Sequence, residues 1–356
     1  MHQYQRLTAV NDQLNDRYVR ENEYQNVVTY PKLVTLTTTL KCNYRCWMCY
    51  QQEFKGEMDW RIVEGLAQVL PFVKTLQLFG GEPLIYSKLE SLCRLAGDSR
   101  CELELITNGS LLDERRRALL LDNNARLIKI SLEAAKQETY ESIRGGNLLM
   151  VFDNIKKLTA ERDARTNSKL ELQINYVAMR RNIEELADVI RMAANAGVIR
   201  VLVLYMFTTD REDLARESLF FHQELSDRCM NEALATGLET GVEVIIPGFF
   251  SIQRRDVEGG EMDHTCHSPW KNCLIDIAGN VRICCGKTPT LGNLLDTAFD
   301  DLWFCDAVTS YRKTVNTEKQ LPACRVCRVK GRSINNISFH IRDKALAEQF
   351  IARTDK

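Results

Sequence analysis

Six short apolar or alternating runs, separated by segments of helical period, constrain this chain more than any other feature. The runs are "LVTLTTT" (33–39), "VKTLQLF" (73–79), "CELELIT" (101–107), "RLIKISL" (126–132), "KLELQINYVAM" (169–179) and "IRVLVLYMF" (199–207). Between them, "WRIVEGLAQVL" (60–70), "LLDERRRALLL" (111–121), "VFDNIKKLTAER" (151–162) and "IEELADVIRMAANAG" (183–197) place apolar residues on one helical face. A strand that is followed by a helix and then by another strand returns to the same sheet by a right-handed crossover. The spacing therefore predicts an α/β protein on a parallel sheet.

The flanks differ. Residues 1–32 read as a charged helical extension that ends near Pro31 and is too short for a domain. A long helical segment over about 210–238 is followed by "VEVIIP" and a cysteine-rich stretch, in which the Gly-Asn turn of "IAGNVRI" (277–283) predicts a β-hairpin. The expected organisation is an N-terminal extension at 1–32, a sheet domain at 33–240, a small cysteine-rich domain at 241–335 and a terminal helix at 336–356.

Of 356 residues, 45% are hydrophobic, which is ample for a core. The 47 basic residues against 48 acidic ones imply no general attraction to nucleic acid or to an anionic membrane. No run approaches the about 18 apolar residues of a membrane span, and the polar N-terminus is no signal peptide. A cytoplasmic protein is expected, in which the 13 cysteines stay reduced and can serve as metal ligands.

"TLKCNYRCWMCYQ" places Cys42, Cys46 and Cys49 within eight residues. Three thiols are too few for a structural zinc, which takes four protein ligands. They suffice for three corners of a [4Fe-4S] cluster, leaving one iron open. The loop follows the first strand, and parallel sheets build their sites at the C-terminal ends of strands.

This CxxxCxxC pattern resembles the signature of radical S-adenosylmethionine (radical SAM) enzymes, whose open iron chelates SAM. "FGGEPL" (79–84), at the end of the second strand, strengthens the resemblance. It implies a partial (β/α)6, TIM-like barrel, reductive cleavage of SAM to a 5′-deoxyadenosyl radical, and abstraction of a substrate hydrogen. It also implies SAM contacts at Met48, Gly80, Gly81, Glu82 and Pro83, with Glu82 as an acceptor for the SAM ammonium. Thr107 and Asn108 of "TNG" and Ser131 of "SLE" would approach the ribose and carboxylate, and Arg144 of "IRGG" would neutralise a carboxylate. Each also has a structural reading: Gly and Pro punctuate turns, polar residues at strand ends cap helices, and arginines are commonly solvated.

Cys266, Cys284, Cys324 and Cys327 form C-x17-C-x39-C-x2-C, a closed set of four. By ligand count, zinc and an iron-sulfur cluster fit equally. "CHSPWKNCLIDIAGNVRICC", with Cys284 following Gly279 after four intervening residues, resembles the twitch or SPASM extension of radical SAM enzymes. With no cysteine beyond Cys327, the shorter twitch form with one auxiliary [4Fe-4S] cluster is implied. The overall expectation is a barrel with a small hairpin-plus-helix auxiliary domain and two [4Fe-4S] clusters. Cys273 and Cys285 flank the second set as candidate hydrogen-atom donors or alternative ligands. His264 and His267 are candidate bases beside it.

The resemblance implies oxidation of a small polar or sugar-like metabolite, with the auxiliary cluster accepting the second electron and a low-potential donor such as flavodoxin or ferredoxin supplying the first. Maturation of a ribosomal peptide by crosslinking, epimerisation or side-chain oxidation is the second enzymatic reading. A non-catalytic, metal-stabilised scaffold is the reading from another class.

Overall fold

The computed structural model describes residues 2–208, 211–252, 265–286, 288–325, 327, 334–335, 337–341 and 343–354. The expected strands form as β1 (Leu33–Thr39), β2 (Thr75–Gly80), β3 (Glu102–Thr107), β4 (Ala125–Ser131), β5 (Glu171–Ala178) and β6 (Arg200–Tyr205), parallel and in sequence order. Two further parallel strands extend this sheet. One is β7 (Glu243–Ile245), which pairs with β6 although it follows the boundary expected at 240. The other is β8 (Asn272–Ile275), which pairs with β1 at the opposite side. β9 (Asn280–Arg282) and β10 (Gly292–Asn293) follow antiparallel, giving the order β10-β9-β8-β1-β2-β3-β4-β5-β6-β7. The hairpin of the cysteine-rich region thus continues the sheet, which stays open as a partial barrel.

The outer face of the sheet is sealed. Val34, Leu36, Leu76, Leu78, Ile128 and Ile130 are each at most 1% exposed and belong to one large core. The inner face carries Thr35, Gln77, Glu104 and Lys129, half-buried and joined in a row across four strands.

Local chemistry explains the helices. Asp59 caps Trp60–Glu64 by accepting from Arg61 N. That helix stops at Gly65, short of the span that periodicity predicts, and a 3-10 turn at Leu70–Phe72 places Pro71 where no N–H is required. Asn147 caps Leu148–Asp163 through Met150 N, and left-handed Gly145 (φ 71°) ends Gln137–Arg144. The N-terminal helix, His2–Glu21, leads into a segment that ties the sheet to the auxiliary region: Trp270 Nε1 donates to Glu23 O at 2.7 Å and Trp303 Nε1 to Thr29 O at 2.9 Å. Among the described residues no helix is long and apolar enough to cross a membrane.

Candidate active site

The three-cysteine loop leaves β1 at Thr39 and is gripped from several sides. Leu40 N donates to Gly56 O at 3.0 Å, Gly81 N to Thr39 O at 2.7 Å, Glu82 N to Lys41 O at 2.9 Å and Trp47 N to Ile143 O at 2.8 Å. Cys42 Sγ accepts from Tyr44 N, and Cys49 Sγ from Gln51 N, each at 3.4 Å. Cys46 Sγ accepts from Arg144 Nη1 at 3.6 Å. Burial pushes the Cys46 thiol up to about 11, while Arg144 pulls it back and Glu133, Cys49 and Cys42 add to the rise. Burial likewise raises Cys42.

Among the described residues no group of three or more His, Cys, Asp or Glu closes tightly enough to grip a bare metal ion. Cys42, Cys46 and Cys49 nevertheless feel one another's charge. N–H groups aimed at the three sulfurs suit the thiolate ligands of an iron-sulfur cluster.

The glycines of "GGEP" have a structural reason that the sequence does not reveal. A Cβ on Gly80 (φ +143°) would lie 2.2 Å from Thr39 O, and one on Gly81 2.4 Å from Lys41 O and 2.7 Å from Leu40 O. Only glycine lets β2 approach the cysteine loop this closely. Pro83 opens a one-turn 3-10 helix capped by Glu82.

Glu82 is fully buried, and its carboxylate accepts from Leu84 N at 3.2 Å, Thr107 Oγ1 at 2.7 Å and Asn108 N at 2.8 Å. Burial raises its pKa against these bonds. The side chain braces the ends of β2 and β3. Thr107 Oγ1 also accepts from Gly109 N, and Asn108 binds Asn43 of the cysteine loop and Ser110, so both side chains serve the same brace.

Arg144 forms an ion pair with Glu133. The pair is a buried fork in which Nε meets Oε2 and Nη2 meets Oε1 at 2.6 Å, leaving Nη1 for Cys46. Burial opposes the Arg144 charge and Glu133 more than restores it. Met48 packs on the cluster of Ile143, Met179, Met206 and Leu214 that closes the ends of β5 and β6. Ser131 is half-buried at the end of β4 on the inner face, opposite Asn175.

In the second cysteine set, Asn316 holds Cys266 by both backbone groups, accepting from its N at 2.8 Å and donating to its O at 3.2 Å. Cys284 Sγ accepts from Gly286 N at 3.3 Å. Burial pushes Cys284 up to about 11, with Cys285 and Cys266 among the charges around it. Cys327 N closes a turn onto Cys324 O at 3.2 Å.

Cys273 is corrected. Its register with Val34 puts it on the sealed outer face, 1% exposed and inside the main core, where burial alone drives its thiol upward. It cannot donate a hydrogen atom to a substrate on the inner face. His264 lies outside the described residues, and His267 begins the short helix Ser268–Lys271.

Sequence reasoning passed over Glu133, Asn43 and Ser110, which complete the brace and the arginine fork, and the pair Glu104–Lys129. A signal existed for that pair: parallel strands covered on both faces are usually apolar throughout, whereas "CELELIT" and "RLIKISL" alternate with charge.

Comparison with known proteins gives a concordant picture. The radical SAM superfamily matches residues 36–193, and the SPASM iron-sulfur cluster-binding domain matches 266–328. The AdoMet-dependent heme synthase of Methanosarcina barkeri is 24% identical over 332 residues, 84% of this chain and 89% of that one. The tungsten-containing aldehyde ferredoxin oxidoreductase cofactor-modifying protein of Pyrococcus furiosus is 26% identical over 319 residues, 84% of this chain and 88% of its own length. The GTP 3',8-cyclase of Sinorhizobium medicae is 30% identical over 213 residues, with only 59% of the cyclase covered. Among solved structures, Streptococcus suis SuiB bound to precursor peptide SuiA aligns with a TM-score of 0.63 at 14% identity, over 93% of this chain and 79% of SuiB. AdoMet-bound anSMEcpe aligns with a TM-score of 0.60 at 18% identity, over 83% of this chain and 89% of its own. The chain belongs to the radical SAM superfamily as an enzyme with a C-terminal SPASM domain, using [4Fe-4S] clusters and S-adenosylmethionine.

Proposed function

We propose that this enzyme oxidises a small polar metabolite at a C–H bond, with the auxiliary cluster as the electron acceptor. The observation that carries the reading is the inner face of the sheet. Thr35 Oγ1 meets Gln77 Oε1 at 3.3 Å, Gln77 Nε2 meets Glu104 Oε2 at 3.0 Å, and Lys129 Nζ meets the same oxygen at 2.6 Å. A sheet of this kind ordinarily fills its interior with branched apolar side chains. This one keeps a polar row and leaves Leu204, on the same face, 42% exposed, so the trough is open as well as polar.

Cys42, Cys46 and Cys49 would hold the first cluster, and Cys266, Cys284, Cys324 and Cys327 the auxiliary one. When bound and reduced, the first cluster supplies the electron that splits the sulfonium of SAM. The protein's own contribution is positional. The Glu82 brace fixes the cysteine loop against β2 and β3, and the Arg144–Glu133 fork fixes it against the helix Gln137–Arg144. The Glu104–Lys129 pair offers a proton acceptor for a substrate hydroxyl as the carbon is oxidised. A low-potential flavodoxin or ferredoxin is the class of donor this chemistry needs.

The heme synthase and the cofactor-modifying protein, matched along 89% and 88% of their lengths, are named for cofactors rather than peptides, which supports a small-molecule substrate. The likeness to SuiB concerns the fold. The test is deuterium transfer into 5′-deoxyadenosine, using the anaerobically reconstituted enzyme and extracts of deuterium-grown cells separated into small-metabolite and peptide fractions. Label arising from the small polar fraction is the expected result. Label arising only from peptides would replace this reading with peptide maturation.

A further inference from the structure

Arg312 carries a buried charge that no carboxylate balances among the described residues. It lies on the helix Asp306–Thr314 and is 2% exposed. Its Nε donates to Pro269 O at 3.1 Å, its guanidinium lies 5.3 Å from the centre of the Trp303 ring, and Nη2 is buried without a hydrogen-bond partner. Burial lowers its pKa to about 10, so it remains a cation at neutral pH.

Isolated buried ions cost several kcal/mol, so a cation kept in this position calls for an anion. The C-terminal end of its own helix contributes only about 0.3–1 kcal/mol, too little to meet that cost. The Cys305 thiol, which lies near enough to act on Arg312, is engaged by donating to Leu302 O at 3.2 Å.

The surroundings identify a better partner. Pro269 follows Cys266 by three residues, Asn316 clamps Cys266 from the segment just beyond this helix, and Tyr311, next to Arg312, feels the charge of Cys324. A [4Fe-4S] cluster held by four thiolates is anionic in both redox states, and more so when reduced. We propose that Arg312 is the buried counter-charge of the auxiliary cluster and holds its reduction potential high enough to accept an electron from substrate. This rests on the assignment of Cys266, Cys284, Cys324 and Cys327 as its ligands.

The experiment uses the full chain with Cys42, Cys46 and Cys49 all changed to Ala, so that only the auxiliary cluster remains. Iron content, redox-poised EPR and thermal melts of cluster-loaded and cluster-free protein are compared for this parent, Arg312→Met and Arg312→Lys. The expected result is about four irons in the parent. Arg312→Met should show at least a tenfold lower ratio of reduced to oxidised cluster at a fixed potential, about 59 mV for a one-electron couple. Arg312→Lys should stay near the parent. In the melts, Arg312→Met should stabilise the cluster-free protein, by removing an unpaired charge, and reduce the gain on loading. A residue that merely packs would lower both melts alike. An unchanged potential with equal melting shifts would overturn the proposal. If Arg312→Met fails to fold, Arg312→Gln against Arg312→Lys makes the same comparison. A parent without iron would overturn the ligand assignment itself, a failure told apart by being visible before any change at Arg312.

Discussion

Replacing Gly81 with alanine probes how the cysteine loop is held. The new Cβ would lie 2.4 Å from Lys41 O, 2.7 Å from Leu40 O and 2.8 Å from Leu40 C, all backbone atoms that cannot rotate aside. Relief requires moving the loop that leads into Cys42 away from β2. That movement strains or breaks the bonds from Gly81 N to Thr39 O and from Glu82 N to Lys41 O. Two such bonds are worth about 0.5–1.5 kcal/mol each. Overpacking adds about 1–3 kcal/mol, for a total of about 2–6 kcal/mol, a large part of the about 5–15 kcal/mol that stabilises a typical protein. Because the damage lies at the loop, iron bound there should fall along with the urea midpoint. Gly145→Ala is the control: its φ of +71° strains an alanine, but nothing lies within 4 Å of the added Cβ. It should cost about 1–2 kcal/mol without loss of iron. Both variants would be measured by urea titration followed by circular dichroism, with iron per chain after reconstitution. A Gly81→Ala protein with the parental midpoint and a full complement of iron would refute the close-approach argument.

Three further outcomes are expected. Cys46→Ala should remove about four irons per chain and abolish SAM cleavage by dithionite-reduced enzyme, measured by metal analysis and chromatography of 5′-deoxyadenosine. Glu82→Gln should lower stability in urea by about 1–3 kcal/mol, because an amide cannot accept all three bonds. Its pH dependence has a fixed sign: the folded carboxyl sits above its ordinary 4.5, so its contribution is fully present below that value and is lost as pH rises through the folded one. That slope should vanish in the variant. Cys273→Ser should leave SAM cleavage intact while costing about 1–3 kcal/mol of stability for a hydroxyl placed in the apolar core; loss of turnover at retained stability would restore a chemical role for this thiol.

The parallel sheet was legible because each of its first six strands is a contiguous apolar or alternating run. The three-cysteine loop stood out because thiols of one loop are close in sequence, whereas the second set was read only through its resemblance. What was hidden depends on register. Cys273 and Cys284 lie in one hairpin, yet alternation sends Cys273 to the sealed side with Val281, and only the pairing of β8 with β1 decides which side that is. The Glu82 brace was hidden for a related reason. In one dimension Glu82 is an acidic residue in a glycine loop, whereas in the fold three donors from two strand ends converge on it. The helix expected over 60–70 failed at Gly65, where a weak local preference yielded to a turn.

β1 explains why the two cysteine sets can work as one site. Its loop carries Cys42, Cys46 and Cys49, its pairing with β2 brings "GGEP" against that loop, and its pairing with β8 leads through the turn at 276–279 into β9 and Cys284. The return of the cysteine loop meets that turn directly, since a Cβ on Gly56 would come within 3.2 Å of Ile277 Cδ1, while Leu40 N binds Gly56 O. The separation between the two sets is therefore governed by hydrogen-bonded strand register rather than by the connecting chain. The N-terminal segment reinforces it, because Glu23 and Thr29 bind Trp270 and Trp303 of the auxiliary region from the stretch that enters β1. The N-terminal stretch thus acts as a splint between the sheet and the auxiliary region.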